Sequence, residues 1–367
     1  MMLESSPTGR ELIERLLETL QALPEVHASL VSSDPVALAG ADRRHDAQIE
    51  LQIAGKSFTL LVEAKKTVYP RDARQVLWQF KDFNRNRPTG HGVDEVLLLL
   101  VAESISQGAK DLLRSETVGY YDSGGSLFLP AHGAYLYIDK PPPKSLSKSV
   151  LSLFSERRAQ VLHTLLIRHQ DWFGVRELAE LALVSPATAS QVLTELERFD
   201  WLTSRGQGPH KERHLKEPAA LLDAWVERLA SIRHPTLRRY YVPAMKAGQL
   251  VEHIGHVFAD KQVGYAISHE AAAQRYAPFL TSVSQVRCRL LVGPAADAAI
   301  TELGARVVNE GANLVLIDAK SPGDLLFRER VGDIWLASPI QVYLDLLRGE
   351  GRAREMAEHL RKERIGF

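Results

Sequence analysis

Hydrophobic residues recur along the first 139 positions with two spacings, one typical of helices and one typical of strands. Leu12, Leu16 and Leu20 repeat at helical intervals, whereas residues 46–53 alternate apolar and polar side chains, as a half-buried strand does. The predicted elements are helices at 10–23, 71–83 and 104–114, strands at 46–53, 57–65 and 95–102 with a turn at Ala54-Gly55, and short strands around Tyr120, Leu127 and Tyr135. Helices and strands mixed in this way predict an α/β domain over residues 1–139.

Residues 140–150 contain three consecutive prolines, which fix extended backbone and remove amide donors. No helix or central strand crosses such a segment, so we expect a linker there. Helical spacing then returns at 150–169, 175–182, 186–199 and 218–232. Residues 233–367 form a third predicted domain of mixed type. Its expected elements are strands at 286–292 and 314–317, a helix opened by Ser338-Pro339, and a charged terminal helix at 352–364.

The segment 175–199 has the order of a helix-turn-helix motif. Ser185-Pro186 is an N-cap hydroxyl followed by proline at the first helical position, which marks a helix start. The buried stripe of the second helix is predicted at Ala189, Val192, Leu193 and Leu196. Short polar side chains near the start of such a helix suit contact with base edges in the major groove. The residues expected to contact DNA from this helix are Ser185, Thr188, Gln191, Thr194 and Arg198.

Residues 201–215 read as two short strands around a glycine-rich tip with positive charge. Arg205, His210, Lys211 and Arg213 are expected to contact phosphate or the minor groove. Helix, turn and hairpin together resemble the winged helix-turn-helix of bacterial regulators, which places that domain at 151–232. A plain helical bundle with a solvated basic loop is the alternative interpretation.

Charge is distributed unevenly, although 45 Lys and Arg balance 45 Asp and Glu over the 367 residues. Residues 1–139 carry 14 basic against 19 acidic side chains, residues 140–216 carry 12 against 8, and the remainder carries 19 against 18. The positive share thus falls on the predicted winged helix, as phosphate binding requires. A single cysteine, no basic-then-apolar leader and no apolar run of membrane-spanning length favour a cytoplasmic protein without membrane contact.

A second constellation lies in the N-terminal domain. Glu63 and Lys65 share one face of a strand, and Asp46 begins the partner strand. Two carboxylates and a lysine there could hold Mg²⁺ and position a water against a phosphodiester. Asp46, Glu63-Ala64-Lys65 and the helix that follows resemble the PD-(D/E)xK nucleases, which implies a restriction-endonuclease-like fold. Gln75 or Gln79 on that helix would then support the catalytic site. A degenerate domain retained for binding or dimerisation is the alternative.

The C-terminal domain carries patterns at 266–279, 334–347 and 351–360 that resemble AbiEi-type antitoxins. That family consists of bacterial DNA-binding regulators with a winged helix and a C-terminal α/β domain. The resemblance implies a double-stranded-DNA-binding transcriptional regulator, either with a nucleotidyltransferase toxin as a partner or as a stand-alone regulator built from the same parts. A homodimer is expected because winged-helix regulators often read paired half-sites. The other function that the sequence allows is a Mg²⁺-dependent DNA endonuclease of PD-(D/E)xK type, targeted by its winged helix.

Overall fold

The computed structural model describes residues 9–32, 36–37, 44–85, 95–140, 152–154, 156–232, 235–243 and 245–367. The chain divides into two compact units. One comprises Met1–Val150 together with Glu195–Asp200, and the other comprises Leu151–Thr194 and Trp201–Phe367. The predicted linker lies outside the described residues apart from Lys140. The second unit contains the predicted winged helix, except for Glu195–Asp200, and the predicted C-terminal domain. The boundary between those two predicted domains stays a prediction.

A seven-stranded mixed sheet forms the centre of the first unit. The elements of this unit, in chain order, are α1 (Gly9–Gln21), β1 (Val26–Ser32), β2 (Val36–Ala37), β3 (Arg44–His45), β4 (Ala47–Ile53), β5 (Lys56–Val68), α2 (Pro70–Arg85), β6 (Glu95–Ile105), α3 (Gln107–Ser115), β7 (Gly119–Asp122), β8 (Leu127–Ala131) and β9 (Ala134–Ile138). The strand order is β1-β4-β5-β6-β7-β8-β9. Strands β5, β6 and β7 run parallel, and the other pairs of this sheet are antiparallel.

Helices cover both faces of this sheet. The apolar stripe of α1, including Leu12 and Leu16, packs on one face in a core with Ile49 and Leu60. Helices α2 and α3 contribute to a second core on the other face. Strand β6 is buried on both faces, because a parallel strand between two helical layers has no face towards solvent. This explains why its sequence is a continuous apolar run. The predicted mixed α/β architecture is confirmed. Its likeness to restriction endonucleases stays a prediction.

Two details of the first unit differ from the sequence-based expectation. Strand β1 was not expected at all. The helix expected at 104–114 begins only at Gln107, because Ser104 and Ile105 continue the β6 ladder opposite Thr67 and Val68. Ser106 caps the helix, its Oγ accepting a hydrogen bond from the Ala109 amide at 3.4 Å. Hydrogen bonding to β5 therefore outweighs the local helical pattern at the end of β6.

The second unit opens with a helical segment and a small sheet. The elements of this segment are α4 (Glu156–Ile167), β10 (Trp172–Phe173), α5 (Val175–Leu181), α6 (Pro186–Arg198), β11 (Leu202–Arg205), β12 (Glu212–Leu215) and α7 (Pro218–Arg228). The last four residues of α6 are grouped with the first unit. The strands form an antiparallel sheet in the order β10-β12-β11. Gly206, with φ of +74°, turns the chain between β11 and β12. A Cβ at this position would collide with the His210 carbonyl oxygen, so the tip requires glycine.

A second seven-stranded sheet follows. The strands of this sheet and the helices between and after them are β13 (Leu237–Tyr241), α8 (Ala247–Asp260), β14 (Tyr265–Ser268), α9 (His269–Tyr276), β15 (Val286–Leu291), α10 (Pro294–Glu302), β16 (Arg306–Val307), β17 (Leu314–Ala319), β18 (Glu329–Val331), β19 (Ile334–Leu336), α11 (Pro339–Leu346) and α12 (Ala353–Leu360). The order is β16-β13-β17-β15-β14-β19-β18. As predicted, Ser338 caps α11, its Oγ accepting from the Gln341 amide at 3.2 Å. In the described ranges, no helix combines the length and apolarity needed to cross a membrane.

Helix α4 packs against both α5 and α11. Residues 161–166 of this helix are all buried. His163 Nε2 and the capping Ser338 Oγ share a hydrogen bond of 2.6 Å. Burial lowers the pKa of His163 from 6.5 to about 4, so its ring is neutral at pH 7. The Arg348 guanidinium strengthens the junction by donating to the carbonyl oxygens of Leu229 and Ile232 at 3.0 and 3.4 Å.

Candidate functional site

Helix α6 begins at the predicted cap. The Thr188 amide donates to Ser185 Oγ at 3.1 Å, and the Ser185 and Thr188 hydroxyls lie 2.9 Å apart. Ser185 therefore serves first as an N-cap, with one oxygen lone pair committed to the helix. The stripe predicted for this helix is fully buried, and it comprises Ala189, Val192, Leu193 and Leu196. This packing fixes which face of α6 points outward.

The outward face of α6 carries polar groups, and its only acid in the described helix is the half-buried Glu195 near the C-terminal end. Gln191 is exposed, and its side chain makes no hydrogen bond to any described residue. Thr194 is exposed and donates to the Ser190 carbonyl at 2.8 Å, which leaves its oxygen free to accept. Arg198 is exposed at the last position of the helix. No Asp or Glu occurs between 186 and 194, so nothing on this stretch repels a phosphate backbone.

The β11–β12 hairpin holds the basic side chains of the predicted wing. Arg205 Nε lies 2.6 Å from Glu212 Oε2, and its guanidinium carbon lies 4.3 Å from the centre of the Trp172 ring. These contacts orient Arg205 while its side chain stays 57% exposed. His210 is exposed at the tip, and Lys211 beside it is half-buried. Three of the four basic residues predicted for the wing are thus accessible.

Arg213 differs from the other wing residues because its side chain is 8% exposed. Strand alternation explains this, since Arg213 shares the inward face of β12 with Leu215, whereas Glu212 and His214 alternate with them. A buried guanidinium cannot reach a phosphate without moving the strand. We therefore leave Arg213 out of the candidate surface, which consists of the outward face of α6 and the tip of the hairpin.

The first unit brings three of its predicted site residues together at the start of β4 and within β5. The Asp46 amide donates to the Val62 carbonyl at 3.0 Å, which sets Asp46 opposite Glu63. The Ala64 amide donates to Asp46 Oδ2 at 2.7 Å. Lys65 Nζ lies 2.7 Å from Glu63 Oε1. Each carboxylate keeps one oxygen outside these contacts, and an ammonium group lies beside them.

This donor set suits a metal that retains water. Mg²⁺ commonly binds one or two carboxylates and completes its shell with water and phosphate oxygens. Asp46 and Glu63 fit that requirement, and bound Mg²⁺ would supply Lewis-acid activation of a phosphodiester. In the described part of the chain, no three His, Cys, Asp or Glu side chains form a group that could hold a metal. Gln75 is exposed on α2 and makes no hydrogen bond to the other three predicted residues.

Sequence reasoning missed a buried polar cluster under α11. Asp345 accepts from Arg289 Nη2 at 2.5 Å, from Ser268 Oγ at 2.5 Å and from Gln341 Nε2 at 2.9 Å. Burial alone would raise the pKa of Asp345, but Arg289 and its hydrogen bonds lower it to about 2. The one signal in the sequence is Arg287-Cys288-Arg289, where strand alternation sets two arginines on the face opposite a buried cysteine.

Comparisons with known proteins add little to this geometry. No protein-family profile matches the chain. No curated protein matches it either. Among solved structures, the crystal structure of NolR from Sinorhizobium fredii aligns with 24% of this chain and 95% of its own, at 16% identity and a TM-score of 0.18. A TM-score of this size carries no argument about fold or function. The resemblances to AbiEi-type antitoxins and PD-(D/E)xK nucleases remain predictions.

Proposed function

We propose that the protein binds double-stranded DNA through the outward face of α6 and the tip of the β11–β12 hairpin. The observation that carries this proposal is the exposed Gln191 amide, on a capped helix whose first nine residues carry no acid. A glutamine amide can form two hydrogen bonds with an adenine edge in the major groove. In this arrangement α6 reads bases, and Arg205, His210 and Lys211 hold phosphates or the minor groove.

Base readout and phosphate contact predict different responses to mutation. Gln191→Ala should weaken binding to a selected target sequence about fivefold to 150-fold, and should leave binding to random DNA nearly unchanged. Lys211→Gln should weaken binding to both, and should reduce the slope of log affinity against log salt by about 0.9. Gln52 and Lys56 are exposed in the first unit. Gln52→Ala and Lys56→Gln are therefore matched controls.

The experiment begins with selection of bound fragments from genomic DNA, followed by salt titrations of one selected duplex. The proposal requires that both α6 and hairpin variants change binding while the controls do not. Wild-type affinity of Gln191→Ala for the selected duplex, together with a wild-type salt slope for Lys211→Gln, would remove this surface from the proposal.

The AbiEi resemblance extends the proposal to regulation of transcription and to a nucleotidyltransferase toxin as a partner. The paired half-sites that winged-helix regulators often read extend it to a homodimer. A dimer that reads DNA predicts two half-sites spaced by about one helical turn, 34–36 Å. Light scattering of the free protein and the symmetry of the selected fragments test this together. A monomeric protein bound to a single half-site would contradict the dimer, although not the binding surface.

A second candidate function is Mg²⁺-dependent DNA cleavage by the first unit. The observation that favours it is the apposition of Asp46 to the Glu63–Lys65 pair. Supercoiled and branched DNA should be cut in the presence of Mg²⁺ or Mn²⁺, and Lys65→Ala or Asp46→Asn should abolish cutting. Lys66 is exposed next to Lys65, and strand alternation puts it on the opposite face. Lys66→Ala should therefore still cut. Absence of cutting by the wild type would leave a domain retained for binding or dimerisation.

A further inference from the structure

A cavity of about 180 Å³ opens in the second unit beside β13, β15 and α11. Three arginines line it from three different elements or their ends, namely Arg239, Arg287 and Arg348. Leu237, Val315 and Ile317 form an apolar part of the wall. The cavity therefore combines concentrated positive charge with a small apolar surface, as sites for small organic ligands do.

The charges around this cavity do not cancel. Asp345 also lines it, but that carboxylate is compensated by the Arg289 guanidinium at 2.5 Å. Arg287 bonds only the Gln285 side chain, and within the described ranges neither Arg287 nor Arg239 lies in an ion pair. Glu350 is the remaining acid among the lining residues. Three arginines against Glu350 leave two positive charges in excess.

Two buried polar atoms at the cavity lack a partner among the described residues. One is His269 Nδ1, which lies 3.9 Å from Asp345 Oδ2, beyond hydrogen-bond distance. The other is Arg348 Nε. The His269 side chain is 8% exposed and its backbone has φ of +53°, a conformation that costs a histidine energy. Orphaned buried groups and local strain at one cavity are typical of a ligand site.

We propose that this cavity binds a small organic dianion, its oxyanion head group held by Arg239, Arg287 and Arg348 and its body against Leu237, Val315 and Ile317. Arginine forks match the geometry of both phosphate and carboxylate oxygens. Burial lowers the pKa of His269 to about 4, so its ring is neutral at pH 7 and donates a single hydrogen bond, from Nδ1 in the tautomer that would serve the anion. This site is separate from the proposed DNA surface, and its test does not depend on DNA binding.

The test is calorimetric titration of the full chain with glycerol 3-phosphate, with succinate, and with uncharged glycerol as the blank. Binding of either anion tighter than about 1 mM, with none of glycerol, supports the site, and the stronger of the two identifies the head group. Arg287→Gln and Arg239→Gln should each weaken it about tenfold or more. Arg306 is exposed and outside the cavity. Arg306→Gln should therefore bind as the wild type does.

The urea unfolding midpoint of each variant shows whether weaker binding comes from the site or from misfolding. Arg239→Gln is the variant expected to fold normally, because the exposed Arg239 side chain supports no described contact. Failure of both anions to bind the wild type would overturn the proposal, as would binding that neither variant weakens. A short DNA duplex is titrated in parallel. If only DNA binds, and Arg287→Gln weakens it, the cavity holds backbone phosphate and the small-anion proposal is wrong.

Discussion

Acid should destabilise the second unit through His163. Its pKa is about 4 in the folded protein and 6.5 when exposed. Because the unfolded chain binds the proton more readily, stability is complete above pH 6.5 and falls as the pH drops towards 4. From about pH 7.5 to about pH 5.0, the proton linkage of this one group removes about 2 kcal/mol of unfolding free energy.

Urea denaturation followed by tryptophan fluorescence measures this effect, because four of the five tryptophans belong to the second unit. His163→Gln keeps a hydrogen-bonding group for Ser338 but removes the titration. Between pH 7.5 and pH 5.0, the unfolding free energy of the variant should therefore fall by about 2 kcal/mol less than that of the wild type. His256 is exposed, and His256→Gln should keep the wild-type dependence. Identical pH dependence in wild type and His163→Gln would refute the assignment of acid sensitivity to this histidine.

Three further substitutions test packing, the hairpin tip and the buried ion pair. Leu193→Ala empties a fully buried position in α6 and should cost about 2–5 kcal/mol in urea unfolding. Gly206→Ala strains a position with φ of +74° and should cost about 1–3 kcal/mol, with weaker DNA binding in a retention assay. Asp345→Asn leaves Arg289 buried without its counterion and should cost about 3–5 kcal/mol, whereas the exposed Asp333→Asn should cost little.

The features that could be predicted from the sequence are those specified by neighbouring residues. Ser185-Pro186 and the stripe from Ala189 to Leu196 lie within four turns of one helix, so cap and burial follow from local chemistry. The hairpin at Ala54-Gly55 is local in the same sense, with φ of +49° and +82° at the two residues. Where a distant strand competes with a local pattern, as at Ser104, the prediction was wrong.

The cavity could not be predicted because its residues come from separate parts of the chain. Arg239, His269, Arg287 and Arg348 meet only through the order of β13, β17, β15 and β14 in the sheet. No spacing in the sequence encodes that order. The burial of Arg213, by contrast, could have been predicted from the sequence. Arg213 is two residues before Leu215 on one short strand, so the two side chains point to the same, inward face.

Helix α4 carries a consequence for how this protein can be divided or recombined. The helix is buried along 161–166, and its His163 contacts the residue that caps α11. A segment ending near residue 232 would lose that contact together with the Arg348 bonds to Leu229 and Ile232. The α4–α7 segment is therefore not an exchangeable cassette. A chimera that tests the proposed DNA surface on another scaffold should graft the outward residues of α6 and leave α4 in place.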